Sequence, residues 1–565
     1  MSEQIFEIGL VGAGAISAGA YTGGVIDFMV QALDEWYEAK AKRQPVPPHD
    51  VRLSVFSGAS AGAITAALAT GYLGSDQPAI TTETDGSENK GKNKLFDSWV
   101  DRIDISSLLE GRDLVTKESL VISLLDSSVL TEIAQHGLDV TPRMTRRPYV
   151  ADNFELLLTV TNLRGVPYGF KLLGGKPSNY DMSLHADYVH FQISDLKGGQ
   201  ISDRYQMTWK EFDDRVACPI KDKLKLSALA SGAFPIGLAP RTLNHTIAKE
   251  SDWYSSREWQ VPTPHSKEPH NCVTPKAIPA AWETIKPEGF DYTFQCVDGG
   301  VMNNEPFELA RRVLAGTARN NDRNGVAAKK AMLLIDPFPS VSLFDPEYAP
   351  APDLLKTAIA LFNALKNQAR FKPEELLLAA DEDVYSRFMI APTRGGKRHA
   401  IACGALGGFG GFLKREFRAH DYFLGRRNAQ KFFRDHFVLP EQNSLFSEWD
   451  EDLKRSYCVK GHANVRLKDN EQRLLPIIPL VGKAMEQCYE PEWPQYTVED
   501  LGRLAEQVAS RTDMVKNRLV DQYFKNNWPL VRFLARWILG KKQDDVVEFI
   551  RQKVTSELRK MELMR

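Results

Sequence analysis

Short apolar runs near the start of the chain alternate with stretches in which apolar residues recur at helical spacing. Residues 5–11 and 51–58 form two of these runs, and their length and β-branched content are typical of buried strands. Each run leads through small residues into apolar positions spaced for a helix. Alternating strands and helices are typical of an α/β fold with a parallel sheet. We therefore predict a central, mostly parallel sheet with helices on both faces.

Further along the chain, the apolar pattern first predicts more strands and then predicts helices. It predicts four more strands, at residues 154–163, 188–194, 294–300 and 331–338. Beyond residue 400 the pattern becomes helical and amphipathic, so we predict an α/β domain over residues 1–400 and a helical C-terminal region over residues 401–565. A polar stretch at residues 75–95, rich in turn-forming residues, predicts a mobile insertion within the first region.

Composition and charge narrow the classes of protein that the chain fits. Of its 565 residues 43% are hydrophobic and 25% are charged, and the net charge is −2, so we expect no overall attraction to nucleic acid. The six cysteines form no CxxC pair, and the histidines supply no matching zinc pattern. The N-terminus lacks the basic region of a signal peptide. We predict a cytoplasmic protein without a metal or nucleic-acid partner, and the sequence leaves a homo-oligomer open.

A Gly-Ala-Ser-Ala-Gly sequence at residues 58–62 lies between the second predicted strand and an alanine-rich predicted helix. A serine on a sharp strand-to-helix turn needs small neighbours, because larger ones would keep the turn from closing. The N-terminus of the following helix also favours a negative charge that develops at the serine. A lone motif of this kind is a weak signal in a chain with 39 glycines. Its position favours Ser60 as a nucleophile, supported by Gly58 and Gly62.

Asp298, followed by Gly299 and Gly300, comes at the end of a later predicted strand. A carboxylate held on a tight turn near a serine can act as its general base without a histidine. An aspartate before a glycine is also common as a turn cap, and both interpretations stay open on this motif alone. The histidines downstream of the motif that a catalytic triad could use are His399, His420 and His436.

A glycine-rich loop follows the first predicted strand, with glycines at positions 12, 14, 19, 23 and 24. Backbone N–H groups of such a loop can point at an oxyanion or a phosphate. A dinucleotide-binding loop would need a glycine where Ser17 stands and an acidic residue near the end of the second strand. The sequence has neither, so the loop favours an oxyanion-binding role.

The three motifs, in this order, resemble those of the patatin-like phospholipase family. The resemblance covers roughly residues 5–340, and GAYTGGVIDFM at 19–29 and LKLSALASGAFP at 224–235 add to it. It implies a Ser–Asp dyad rather than a triad, with Ser60 as the nucleophile and Asp298 as the base. The implied activity is that of a lipid acyl hydrolase, which cleaves a fatty acyl ester of a phospholipid or acylglycerol at a membrane surface. This chemistry requires no cofactor.

The oxyanion loop departs from the pattern of the family, which has consecutive glycines followed closely by Arg or Lys. Here Ala15 and Ile16 replace two glycines, and Ala18 stands at the basic position. Because backbone N–H groups hold an oxyanion, we expect Gly14, Ala15 and Ile16 to form the hole together with Ala61. A β-branched residue such as Ile16 does not readily adopt a positive φ. The alternative is therefore a catalytically weak or inactive patatin-like scaffold that binds lipid or a protein partner.

A segment near the C-terminus combines tryptophans with basic residues. Residues 526–542, NNWPLVRFLARWILGKK, have one apolar side and several charges, which is typical of a helix at a lipid surface. A helix that docks on its own protein or on another subunit has the same pattern. Peripheral membrane contact through this segment and docking are thus two open interpretations.

Overall fold

Most of the chain is described in the computed structural model. The described residues are 4–81, 91–116, 119–171, 179–196, 204–247, 257–262, 275–282, 290–316, 322–338, 357, 364, 385–459, 473–523 and 543–565. The insertion predicted at 75–95 lies partly outside these residues, and the segment at 526–542 lies wholly outside them.

A sheet of nine strands forms the centre of the molecule. The strands of the chain are β1 (Ile5–Gly12), β2 (Asp50–Gly58), β3 (Val150–Lys171), β4 (Asn179–Ser194), β5 (Tyr205–Thr208), β6 (Arg241–Ile247), β7 (Glu258–Pro262), β8 (Pro275–Pro279), β9 (Phe290–Asp298), β10 (Lys330–Ile335), β11 (Arg387–Ile390), β12 (Val438–Pro440) and β13 (Leu474–Pro476). The sheet has the order β11-β10-β1-β2-β3-β4-β5, and β9 joins β3 to β6. All neighbours from β11 to β3 run parallel, as do β4 and β5, whereas β3 pairs antiparallel with β4 and β9, and β6 with β9. The predicted mostly parallel sheet is confirmed.

Helices cover both faces of this sheet. The longer ones are α1 (Gly19–Ala41), α2 (Ala61–Leu73), α3 (Ser128–Leu138), α4 (Pro219–Ser231), α5 (Phe307–Ala315), α6 (Arg415–Asp435), α7 (Val498–Tyr523) and α8 (Gln543–Lys560). Shorter helices are Lys94–Phe96, Ile105–Leu108, Ala405–Gly408, Gly410–Leu413 and Glu451–Tyr457. Successive side chains of a strand point to opposite faces. Accordingly, Leu10 of β1 lies in the core that contains α1, and its neighbour Val11 packs with Phe307 of α5.

Helices α1 and α6 cross at very short range. A Cβ at Gly24 of α1 would lie 1.8 Å from the carbonyl oxygen of Tyr422, and a Cβ at Gly425 of α6 would lie 2.3 Å from that of Tyr21. Only glycine allows the two backbones to approach so closely. Through this crossing, helices on both sides of residue 400 share one core. The division into two regions at that residue stays a prediction.

Candidate active site

Ser60 lies on the turn between β2 and α2, at the end of a central strand of the sheet. Its backbone has φ 53° and ψ −125°, a combination that residues with a side chain rarely adopt. The residue is almost wholly buried. A strained serine between a strand and the N-terminus of a helix has the geometry of an activated nucleophile.

Two glycines allow the turn to close around Ser60. A Cβ at Gly62 would lie 2.1 Å from the carbonyl oxygen of Gly12 in β1, and a Cβ at Gly58 would lie 2.4 Å from the carbonyl oxygen of Gly62. Real Cβ atoms do not approach backbone oxygens at these distances, so any larger residue would push the start of α2 away from β1. The glycines of the motif are thus required for the turn to close.

Asp298 ends β9 and meets Ser60 across 238 positions of sequence. Its Oδ2 accepts a hydrogen bond from Ser60 Oγ at 2.5 Å, and its Oδ1 accepts one from the backbone N–H of Gly300 at 2.7 Å. The neighbouring Gly299 must also be small, because a Cβ there would lie 2.3 Å from the carbonyl oxygen of Thr159. The Asp298 carboxyl group therefore has both roles that its motif left open. One oxygen caps the turn, and the other contacts the serine.

Three further residues, which the sequence motifs did not indicate individually, hold the backbones of Ser60 and Asp298 in place. The backbone N–H of Ser60 donates to Ser231 Oγ at 2.9 Å, and Ser231 is the last residue of α4. The backbone N–H of Asp298 donates to the carbonyl oxygen of Ala233 at 2.9 Å, and Thr161 Oγ1 donates to the carbonyl oxygen of Asp298 at 2.8 Å. The predicted small-residue segment 224–235 thus supports both backbones of the pair.

The glycine-rich loop after β1 passes directly beside Ser60. A Cβ at Gly14 would lie 3.2 Å from Ser60 Cβ and 2.3 Å from Asn304 Oδ1. The backbone N–H of Gly14 donates to the carbonyl oxygen of Asn304 at 3.1 Å, and that of Ala13 donates to the carbonyl oxygen of Ile335 at 3.0 Å. The amide of Gly14 therefore anchors the loop, in contrast to the expectation that it points at an oxyanion.

Ala15 and Ile16, the next two residues of the loop, differ from Gly14 in the hydrogen bonding of their backbone N–H groups. Ile16 has φ 51°, although a β-branched residue was expected to avoid positive φ. In the described part of the chain, the backbone N–H groups of Ala15, Ile16 and Ala61 have no hydrogen-bond acceptor. Ala61 is the first residue of α2, where N–H groups have no partner within the helix. These three N–H groups are therefore candidate donors to an anion at this site.

The histidine of a triad has no place between Ser60 and Asp298, because their side chains contact each other directly. Of the three histidines considered from the sequence, His420 has its own carboxylate partner, with 2.7 Å between its Nδ1 and Asp421 Oδ1. Its ring packs edge-on against Trp493. Ser60 and Asp298 thus form a direct pair.

The described ranges contain no group of three or more His, Cys, Asp or Glu side chains that could hold a metal ion. Within those ranges, no helix is long and apolar enough to cross a membrane.

Comparison with known proteins agrees with the geometry of the site. Residues 10–311 match the patatin-like phospholipase family, and this stretch contains the loop, the serine turn and the Asp-Gly-Gly turn. The chain is also 34% identical, over 603 aligned residues, to the uncharacterized protein y4iI of Sinorhizobium fredii, and the alignment covers 99% of this chain and 82% of that protein. The chain therefore belongs to the patatin-like phospholipase family, whose members are hydrolases of lipids.

Proposed function

We propose that the protein hydrolyses fatty acyl esters of phospholipids or acylglycerols through a Ser60–Asp298 dyad and an acyl-enzyme. The observation that carries this proposal is the 2.5 Å contact between Ser60 Oγ and Asp298 Oδ2 on a strained strand-to-helix turn. A nucleophile and a base within hydrogen-bond distance are what covalent acyl transfer requires. Oδ1 of the same carboxylate is fixed by Gly300, which keeps Oδ2 directed at the serine.

The reaction begins when Asp298 Oδ2 takes the proton of the Ser60 hydroxyl and Oγ attacks the ester carbonyl carbon. The carbonyl π bond opens to an oxyanion, and its collapse breaks the bond to the leaving alkoxide, which receives the proton from Asp298. Water then attacks the acyl-enzyme with Asp298 again as the base, and Ser60 is restored as the fatty acid leaves. Every proton in the cycle is held by Asp298, Ser60, water or the lipid.

The oxyanion is the charge that the site must stabilise, and the backbone N–H groups of Ala15, Ile16 and Ala61 are the donors that we assign to it. The α2 N-terminus adds a partial positive charge at the same place. Gly14 shapes the loop through its contact with Asn304. The loop has Ala18 where the family pattern has a basic residue, so backbone dipoles replace a side-chain cation in this proposal.

The test compares wild type with Ser60→Ala and Asp298→Asn on vesicles that contain dioleoylphosphatidylcholine and dioleoylglycerol. We expect fatty acid release by the wild type and a loss of at least about 10³-fold in each variant, because the two residues act as a unit. A fluorophosphonate probe should label the wild type but not Ser60→Ala. Ser54→Ala, on the same strand as the motif, is the matched control and should keep full activity.

A folded wild type that neither releases fatty acid nor reacts with the probe would contradict the proposal. The remaining function would then be that of the inactive scaffold that binds lipid or a protein partner. Vesicle sedimentation of the same preparations separates binding to lipid from binding to a protein partner. Peripheral contact through residues 526–542 belongs to this proposal as well, and deletion of that segment should weaken sedimentation if the segment lies at the lipid surface.

A further inference from the structure

Arg241 opens β6 beside the catalytic pair. It is the register partner of Cys296 in β9, and Cys296 precedes Asp298 by two positions. Cross-strand partners share a face of the sheet, and so do residues two apart on one strand. The side chains of Arg241 and Asp298 therefore leave the sheet on the same face, as diagonal neighbours with Cα atoms about 7–8 Å apart.

The half-buried guanidinium of Arg241 has no carboxylate partner among the described residues, in contrast to the fully buried arginines. Its Nη2 donates a long hydrogen bond of 3.3 Å to Thr131 Oγ1 of α3, and its Nε is buried without an acceptor among the described residues. Burial lowers the pKa of Arg241, and no acidic side chain opposes that shift. Buried arginines elsewhere each have a carboxylate, as in the pairs Arg147–Asp34, Arg426–Asp27 and Arg511–Asp113.

Exposed apolar side chains lie in the loop before Arg241 and in a segment that is hydrogen-bonded to this loop. The loop that leads into Arg241 carries Ile236, which is 76% exposed. The carbonyl oxygen of Ile236 accepts a hydrogen bond from the backbone N–H of Leu124 at 2.9 Å. Leu120, Ile122 and Leu124 are alternate residues of the segment bonded to this loop, and each is more than half exposed. We call these four residues the apolar rim.

We infer that Arg241 binds the phosphate of a glycerophospholipid whose acyl ester lies at Ser60, an inference that rests on the proposed function. A guanidinium can meet two phosphate oxygens with two parallel N–H groups. In a glycerophospholipid, two carbons and one oxygen separate the sn-2 ester oxygen from phosphorus, so the two groups reach neighbouring positions on one face of the protein. The bound phosphate would supply the counter-ion that Arg241 lacks.

The apolar rim indicates that this phosphate belongs to a lipid rather than to a small soluble ester. Large apolar side chains exposed as a group are costly in water and favour contact with acyl chains or the bilayer interface. One short loop connects the rim to the site. The carbonyl oxygen of Ala233 accepts a hydrogen bond from the Asp298 amide, and Ile236 of the rim follows three positions later. A lipid seated on the rim can thus reach Arg241 and Ser60 at once.

The kinetic test measures kcat/KM on mixed micelles that contain either dioleoylphosphatidylcholine or dioleoylglycerol. For Arg241→Gln we expect the ratio of the phospholipid value to the diacylglycerol value to fall about 10- to 100-fold, since a charge-assisted contact is lost from one substrate only. Arg241→Lys should restore part of the ratio. Arg112→Gln is the control, because Arg112 is paired with Glu110 and Glu132. A ratio that does not change, or equal losses on both lipids, would overturn the inference.

A binding test keeps this inference separate from the proposed function. Ser60→Ala protein is titrated with diheptanoylphosphatidylcholine, diheptanoylglycerol and inorganic phosphate below the critical micelle concentration. Adding Arg241→Gln should weaken phospholipid binding at least about tenfold and leave thermal unfolding near that of Arg112→Gln. Inorganic phosphate that binds as tightly as the phospholipid would assign the site to a soluble phosphate instead. If the wild type hydrolyses neither lipid, the proposed function fails, and this titration alone decides the role of Arg241.

Discussion

Ser17 in the loop after β1 donates a hydrogen bond through Oγ to the carbonyl oxygen of Gly408, 2.5 Å away. The same Oγ accepts one from the backbone N–H of Gly411 at 2.9 Å. Gly408 and Gly411 lie beyond the residues that match the family, which end at 311. The neighbouring Ile16 packs against Gly408, where an added Cβ would lie 3.4 Å from Ile16 Cβ. The C-terminal part of the chain thus contacts the glycine-rich loop at Ser17 and at Ile16, the residue with positive φ.

We expect Ser17→Ala to lower kcat about tenfold or more while KM changes little, because the loop amides that we assign to the oxyanion lose their anchor. A trifluoromethyl ketone analogue of the lipid, which forms a tetrahedral adduct on the serine, should lose affinity by a similar factor. The measurement is a pair of kinetic and inhibition series on the same protein preparations.

Ser227→Ala is the matched control for Ser17→Ala. Ser227 is also fully buried, and its Oγ donates to the carbonyl oxygen of Lys223 within α4. This variant should lose stability without a selective loss of inhibitor affinity. If Ser17→Ala lowers only the melting temperature Tm and leaves both kcat and inhibitor affinity at the wild-type values, Ser17 does not position the loop.

Gly62→Ala should destabilise the protein by about 3 kcal/mol, because its Cβ would overlap the carbonyl oxygen of Gly12 and force the start of α2 away from β1. Gly502→Ala should act in the opposite direction. Gly502 lies within α7 with nothing within 4 Å of an added Cβ, so the helix gains up to about 1 kcal/mol. Tm values from circular dichroism should therefore fall for Gly62→Ala and rise for Gly502→Ala. A Gly62→Ala variant that is as stable and active as the wild type would contradict the close-packed turn.

The contact between Ser60 and Asp298 could be anticipated from sequence because each residue belongs to a short motif with a local steric demand, whereas their catalytic role stays a prediction. Ser60 needs small neighbours to close its turn, and Asp298 needs glycines after it for the same reason. Ser231 and Asn304 could not be found in this way. Each makes a hydrogen bond to backbone that is distant in sequence, and a lone serine or asparagine leaves no periodicity or spacing that would indicate such a bond.

Element lengths were predicted less well where tertiary structure overrides local preference. The strand predicted at 154–163 is part of β3 (Val150–Lys171), which continues through a register shift between Thr161 and Val166. Gly165, with φ 83°, lies in this irregular stretch and interrupts the apolar pattern, so the pattern alone ends the strand early. At Ile16 the local steric rule was also wrong, because this residue has a positive φ in the loop that contacts the C-terminal part.

The buried ion pair between Asp27 of α1 and Arg426 of α6 joins the two helices at their crossing. Arg426→Met should destabilise the protein by about 3–5 kcal/mol, because it leaves the Asp27 carboxylate buried without its cation. Burial already raises the pKa of Asp27. Without Arg426 the pKa rises further, so the native state binds more protons than the unfolded state and the variant regains stability as pH falls.

Urea unfolding at pH 7 and pH 5 measures this effect, and adding Asp27→Asn to Arg426→Met should restore part of the stability at pH 7. The surface pair of Arg551 and Glu548 serves as the control, and Arg551→Met should leave stability near the wild-type value. A stability of Arg426→Met that is independent of pH, with no gain from Asp27→Asn, would contradict this prediction, because it would mean that Asp27 binds no more protons in the native variant than in the unfolded chain.

His49 makes the native state sensitive to acid. Trp449 Nε1 donates to its Nδ1 at 3.1 Å, so the proton of the neutral ring lies on Nε2, which donates to the carbonyl oxygen of Ile477 at 2.9 Å. Burial lowers the pKa of His49 to about 3. The ring is therefore neutral in the folded protein at pH values where the unfolded chain, with a pKa of about 6.5, takes up a proton.

The sign of the pH dependence follows from this difference. The contribution of His49 is fully present above pH 6.5, and it is lost as pH falls toward 3, at about 1.4 kcal/mol per pH unit, because unfolding then binds a proton. Urea unfolding between pH 7 and pH 4.5 should show a smaller slope of stability against pH in His49→Gln than in wild type, although the variant is less stable at pH 7. Above pH 7 the two curves should run parallel. Equal slopes below pH 6.5 would mean that the His49 ring is already protonated, or free to become so, within the folded core.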